Sequence, residues 1–179
     1  MKFLLIPAFI LLLFSCTLTP KKQVAVVFSE LNTNTEASFR GLHVVDENTV
    51  WASGSGGTVF VSNDSGNSWK DVSIQGTEGN DFRSIHAWDD KKAIVFGVAG
   101  PEFAYKTIDG GNTWNVVYSD TTSGLFFNSL KFADEKNGLA VSDPVNGKFF
   151  VLRTEDAGNT WTVVENLPSV IDGEANFAA

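Results

Sequence analysis

The chain has 179 residues, of which 43% are hydrophobic, 12% aromatic and 19% charged. That apolar content supports a packed core and excludes an intrinsically disordered chain. Lys and Arg number 13 against 21 Asp and Glu, a net charge of −8. This argues against a nucleic-acid binder, whose partner demands a basic face.

In chain order, the first element is an address. Met1-Lys2 is a minimal positive head, followed by an apolar run from Phe3 to Phe14 and then Leu13-Phe14-Ser15-Cys16 before a polar stretch. The run is too short for a bilayer-spanning helix, which needs about 20 residues. Its ending resembles the lipobox of bacterial lipoproteins, with Cys16 as the first mature residue. The expected organisation is a signal peptide over 1–15, a lipidated Cys16 with its tether over 16–23, and a folded domain over 24–179. Cys16 is the only cysteine, so the domain holds no disulfide and no thiol nucleophile. No Asp follows Cys16 directly, which by that resemblance favours the outer membrane over the inner one.

Past the tether, one pattern recurs three times. Ser62 to Trp69, Thr107 to Trp114 and Thr154 to Trp161 share the form [Ser/Thr]-x-Asp-x-Gly-Asn-[Ser/Thr]-Trp, and Asp64, Asp109 and Asp156 are 45 and 47 residues apart. Upstream of each box, Phe39, Phe82 and Phe127 open a copy, and Asp46, Asp89 and Asp134 follow seven residues later. Further apolar runs lead into and out of each box. Each copy reads as four short strands, with the box forming the hairpin between the third and fourth. About 45 residues and four strands per unit is the signature of a β-propeller blade. The expected fold class is therefore all-β, a propeller of four-stranded antiparallel blades, here about three blades of an incomplete ring.

The box resembles the Asp-box, or BNR repeat, of sialidases, sortilin-type receptors and other propellers. Each of its positions has a structural use. Asp64, Asp109 and Asp156 can accept backbone N–H groups across the turn. Gly66, Gly111 and Gly158 supply the positive φ of a tight hairpin. Trp69, Trp114 and Trp161 are apolar plates to pack on neighbouring strands. A calcium loop starting at Asn63 would place Ile74 where an acidic ligand belongs, so no metal is expected.

No catalytic constellation emerges. The sialidase resemblance implies an arginine triad, a Tyr/Glu nucleophilic pair and an Asp acid/base. Phe39-Arg40-Gly41-Leu42 matches only the first half of that family's Phe-Arg-Ile-Pro motif, and Arg83 recurs at the equivalent place. Arg153 is the one other arginine, and Tyr105 and Tyr118 flank boxes without distinctive settings. His43 and His86 are repeat equivalents on strand one, replaced by Lys131 in the third copy, and read as a half-buried strand face. Gly54-Ser55-Gly56-Gly57 lacks the third glycine and the following helix of a dinucleotide loop. No cofactor is expected.

The folded region as a whole, over residues 24–179, resembles the bacterial photosystem II stability/assembly factor-like proteins. The resemblance is carried by Glu30-Leu31-Asn32, Ala37 to Leu42, Asp81-Phe82-Arg83, Ser142 to Lys148 and Gly173 to Ala179. It implies a non-enzymatic scaffold that binds a protein or peptide, held at a membrane through its N-terminal lipid. Alternatives are the N-terminal part of a sialidase-like glycoside hydrolase and a sortilin-like peptide receptor. Arg40 and Arg83, on adjacent innermost strands, form one candidate dock for an anion or carboxylate; their competing use is pairing with an Asp such as Asp81 or Asp89. Asp143 to Lys148, read as a polar loop enlarging the third copy, is a second candidate contact.

Length then acquires a different meaning. A closed ring of six or seven blades needs roughly 270 to 315 residues. Residues 23–28 read as an outer strand completing a last blade, and Ala175 to Ala179 as the start of a fourth copy. The expectation is an N-terminal half of a longer protein, prone to aggregate or dimerise because both end blades expose apolar faces.

Overall fold

Short apolar runs cut by Asp-, Asn- and Gly-rich turns favour strands throughout the folded region. The computed structural model describes residues 25, 27, 28, 30, 31 and 33–171, and divides the chain into a short unit, Met1–Glu30, and a larger one, Leu31–Ala179. The leader, Cys16, the tether and the expected start of a fourth copy at 175–179 lie outside the described residues. Within the outer strand expected over 23–28, the described residues Ala25, Val27 and Phe28 are exposed and belong to no strand. No helix among the described residues is long and apolar enough to cross a membrane.

In the larger unit, the described residues form three four-stranded antiparallel sheets, each with its strands in sequence order. The first holds β1 (Phe39–Val44), β2 (Val50–Gly54), β3 (Val59–Ser62) and β4 (Lys70–Asp71). The second holds β5 (Phe82–Ala87), β6 (Ala93–Gly97), β7 (Glu102–Thr107) and β8 (Asn115–Ser119). The third holds β9 (Phe127–Phe132), β10 (Gly138–Val145), β11 (Lys148–Thr154) and β12 (Thr162–Val163). These are three blades of an incomplete β-propeller, with β1, β5 and β9 as the innermost strands and β5 beside both β1 and β9.

Each innermost strand leaves through a turn fixed by the repeated aspartate. Asp46 Oδ1 accepts the N–H groups of Asn48 and Thr49 at 2.8 and 2.7 Å. Asp89 does the same for Lys91 and Lys92, and Asp134 for Lys136 and Asn137. The box is clipped to this turn in every blade, since Ser65, Gly110 and Ala157 donate their N–H to the carbonyls of Asn48, Lys91 and Lys136 at 2.9 Å. A blade is thereby closed by local bonds before it meets a neighbour.

Two apolar layers hold the blades face to face. Trp51, Val59 and Val61 of the first blade pack against Phe82, Ile85 and Val95 of the second. Ile94, Phe96 and Phe103 of the second pack against Phe127, Phe132 and Leu152 of the third. Strand alternation explains the split, because Ile94 and Phe96 point one way along β6 and Ala93 and Val95 the other.

The register carries one irregularity common to all blades. Phe39 pairs with Gly54 and Gly41 with Ser53, so Arg40 is the extra residue of a bulge. Arg83 is the extra residue between Phe82 and Ser84, and Asn128 between Phe127 and Ser129.

Candidate functional site

The box geometry is the same in the three copies. Asp109 Oδ1 accepts the Thr113 N–H at 2.9 Å and the Thr107 hydroxyl at 2.9 Å, while its Oδ2 accepts the Thr113 hydroxyl at 2.6 Å. Asp64 makes the equivalent bonds with Ser68 and Ser62, and Asp156 with Thr160 and Thr154. Hydrogen bonds to the charged form favour it. The Thr113 hydroxyl and N–H accordingly lower Asp109 to about 2. Desolvation opposes the same pull at Asp156, which the bonds from Thr160 and Thr154 still bring to about 2. The turn itself runs through two successive left-handed residues, Ser65-Gly66, Gly110-Gly111 and Ala157-Gly158, the backbone of a type I′ hairpin.

These carboxylates are occupied in holding turns, which leaves them unsuited to bind a metal or to act as acids. Among the described residues no group of three or more His, Cys, Asp and Glu is placed to hold a metal ion. Tyr105 and Tyr118 donate their hydroxyls to Glu102 and Asp120 at 2.8 and 2.7 Å. Desolvation and the adjacent carboxylate push Tyr105 up to about 12, and the same causes raise Tyr118. A nucleophilic phenol requires the opposite shift.

His43 and His86 meet edge to face at 4.5 Å between ring centroids, and His86 stacks on Phe132 at 4.5 Å with Trp88 at 4.7 Å. Burial, then the like charges of His43 and Lys131, lowers His86 to about 4. Burial also lowers His43. Both imidazoles are neutral packing groups at pH 7, wedged where the innermost strands converge.

The remaining cluster is the line of bulged residues. A bulge leaves its residue outside the ladder and re-aims the side chain. Arg40 Nε stands 3.4 Å from Asp81 Oδ2, both partly exposed, so a competing pairing weighed from sequence is present in the structure. Asp81 Oδ1 has no hydrogen-bond partner among the described residues. Arg83 forms no ion pair among the described residues; its guanidinium carbon lies 5.3 Å from the centroid of the Phe126 ring, a cation–π distance. In the third blade Asn128 Nδ2 donates to Asp143 Oδ1 at 2.7 Å. Each bulged side chain therefore engages a residue beside the start of an innermost strand or, for Asn128, the strand paired with it.

Asp143 also donates its N–H to the Phe126 carbonyl at 3.0 Å, which ties it to the neighbourhood of Arg83. Lys148 lies apart, exposed at the start of β11. The segment around it differs from the polar loop read from sequence. β10 and β11 extend as a longer hairpin, and only Asn146 and Gly147, both with positive φ, form the turn. The reason is the Asn-Gly dipeptide, which favours a type I′ connection, with Pro144 accommodated in a register shift between Ser142 and Val145.

Comparison with known proteins places this geometry. Among solved structures, the chain resembles YCF48 bound to D1 peptide, at 20% identity over 79% of this chain and 45% of that one, with a TM-score of 0.58. It resembles YCF48 from Cyanidioschyzon merolae at 18% identity over 78% and 44%, with a TM-score of 0.55. The GH74 xyloglucanase from Xanthomonas campestris follows at 17% identity over 65% and 19%, with a TM-score of 0.50. At these identities the likeness is one of fold, and the chain spans less than half the length of either YCF48 structure. No curated protein matches. A family model for the photosynthesis system II assembly factor YCF48 matches residues 15–106, just over half of the chain. The chain belongs to the YCF48 assembly-factor family.

Proposed function

We propose that this chain is a non-catalytic binding module, lipid-anchored at Cys16 in the cell envelope and preferentially at the outer membrane, that holds an extended peptide of a protein partner. The observation that carries the binding site is the paired bulge. Arg40 and Arg83 are lifted out of adjacent innermost strands in an otherwise acidic protein. Arg83 is neutralised by no carboxylate among the described residues, and Arg40 is held by one partly exposed ion pair, a contact worth little in water. Two guanidinium groups on neighbouring strands suit a peptide carboxylate, which Arg recognises in bidentate fashion. Asp143 borders this face and Lys148 offers a peripheral contact. The YCF48 structure with a D1 peptide supports a peptide as the class of ligand.

The competing glycosidase reading, which likeness to the xyloglucanase raises, requires two carboxylates of divergent pKa across a cleft. The box and turn aspartates are instead all lowered by bonds within their own turns. That favours the binding reading.

The test is fluorescence anisotropy with a labelled D1 peptide and with the same peptide amidated at its C-terminus. Arg40→Ala with Arg83→Ala is expected to weaken binding by roughly a hundredfold or more, at two charge-assisted contacts of about 1.5 kcal/mol or more each. Unchanged affinity per folded molecule would exclude the arginines as the dock. For the anchor, Cys16→Ser should abolish incorporation of a labelled fatty acid in cells, and persistent labelling would refute Cys16 as its site.

A further inference from the structure

One backbone bond closes the bulge end of the first and third blades, and the two blades then place different chemistry beside it. Ser55, directly after β2, donates its N–H to the carbonyl of Ser38, directly before β1, at 3.0 Å. Asp143, in β10, donates its N–H to the carbonyl of Phe126, directly before β9, also at 3.0 Å. The two residues are equivalent, since each follows the partner of an opening phenylalanine, Gly54 for Phe39 and Ser142 for Phe127. In the second blade the partner of Phe82 is Gly97, and Val98 stands at this place. Of the three described blades, the third alone carries a charge there, and it alone has a neutral bulged residue, Asn128.

The charges at this end are unequally matched. Arg40 is engaged by Asp81. Arg83 and Asp143 form no ion pair among the described residues, either with each other or with a third group. Both are nevertheless tied to one residue. The Arg83 guanidinium carbon lies 5.3 Å from the centroid of the Phe126 ring, and Asp143 is bonded to the Phe126 carbonyl. The buried Asn128 donates Nδ2 to Asp143 Oδ1 at 2.7 Å, so a neutral amide orients the carboxylate and leaves its charge in place. Asp143 Oδ2 has no partner among the described residues. Arg83, Phe126 and Asp143 are all partly exposed. A cation and an anion are thus fixed beside one aromatic residue, each still able to take a ligand group.

We infer that Asp143 sets the specificity of the peptide site by receiving a basic side chain beside the carboxylate that the arginines take. This rests on the arginine dock proposed above and adds the sequence class of its ligand. Because Arg83 and Asp143 share Phe126, the two ligand charges must lie close together. An extended chain advances about 3.3 Å per residue, which puts the Lys or Arg one or two residues before a free C-terminus. An acidic residue in that position would face Asp143, and like charges brought together select against such a ligand. The competing role for Asp143, an acceptor that only steadies Asn128, requires an oxygen and no charge.

The experiment is fluorescence anisotropy on the full chain in mild detergent, with tetrapeptides labelled at the N-terminus and ending in a free carboxylate. Two carry lysine, one or two residues before the terminus, and two carry norleucine in its place. The wild type is expected to bind one lysine peptide roughly tenfold more tightly than its norleucine counterpart. That preference should shrink as salt is raised. Asp143→Asn keeps an oxygen for the Asn128 amide and removes the charge, so it should bind the two peptides of each pair alike. Asp143→Ser, which installs the residue found at the equivalent place in the first blade, should do the same and provides a second variant if the first folds poorly. A wild type indifferent to lysine, or a lysine preference that survives both substitutions, would overturn the inference and leave the arginine dock standing. Failure of all four peptides to bind would overturn the dock, and the inference with it.

Discussion

The middle blade and the two end blades are built from the same repeat, yet their equivalent residues live in different environments. Phe82 opens β5 fully buried, whereas Phe39 opens β1 with 40% of its surface exposed. Ile85 is 7% exposed and its counterpart Leu42 is 67% exposed. On the other face, Ile94 is fully buried and Leu139 is 45% exposed. All of these are large apolar residues, so the difference resides in the neighbour and not in the side chain. A propeller blade takes its stability in part from the interfaces it shares, as in other repeat architectures.

The largest expected effect tests that statement directly. Phe82→Ala deletes a ring wedged between blades and should destabilise the fold by about 3–5 kcal/mol. Phe39→Ala, at the equivalent position with a face uncovered, should cost about 1 kcal/mol in dilute monomer. Urea unfolding of both variants measures the gap. Equal losses would mean that the first blade's face is covered as well as the second's, and the contrast between blades would fail.

Much of the fold was legible because the repeat states its own boundaries. The spacing of Asp64, Asp109 and Asp156 fixed the blade count, and the Phe-to-Asp interval fixed the first strand and its exit turn. The bulges at Arg40, Arg83 and Asn128 were not legible. A one-residue register slip leaves no compositional mark, and only the pairing of Phe39 with Gly54 and Gly41 with Ser53 discloses it. The left-handed pair at the box turn was half visible, since Gly110-Gly111 declares it while Ser65 and Ala157 conceal it. The Asn146-Gly147 signal was present and was overridden by the polarity around it. That Trp69 Nε1 has no acceptor among the described residues could not be read from sequence, because it depends on which neighbour is present.

A second contrast concerns charge. His86 is covered by Phe132 of the next blade, whereas Lys131, its equivalent, is exposed. His86 in the folded chain is lowered to about 4 from an ordinary value of 6.5. The unfolded chain therefore takes up a proton, as pH falls from 6.5 to about 4, that the folded chain refuses. The stability that neutral His86 contributes is complete above 6.5 and is lost progressively through that window, with a slope approaching one proton. The groups that face it are His43, Trp88, Phe132 and Lys131. His86→Phe should flatten the acid limb of a urea-midpoint profile between pH 6.5 and 4. An unchanged slope would assign that limb to other groups, foremost His43, which burial also lowers.

The smallest effect is the most diagnostic, because one substitution should give two outcomes. Trp114→Phe keeps an aromatic plate but removes the bond to Val72 O, leaving a partly buried carbonyl without its donor, at a cost of about 1–2 kcal/mol. Trp69→Phe removes an indole N–H that has no partner among the described residues and is closed to solvent. In dilute monomer this should be neutral or slightly stabilising, since an unsatisfied buried donor is itself a cost. Thermal melts of both variants separate the cases. If Trp69→Phe destabilises as much as Trp114→Phe, its N–H already has a partner within the chain, and the distinction between covered and uncovered blades loses its polar half.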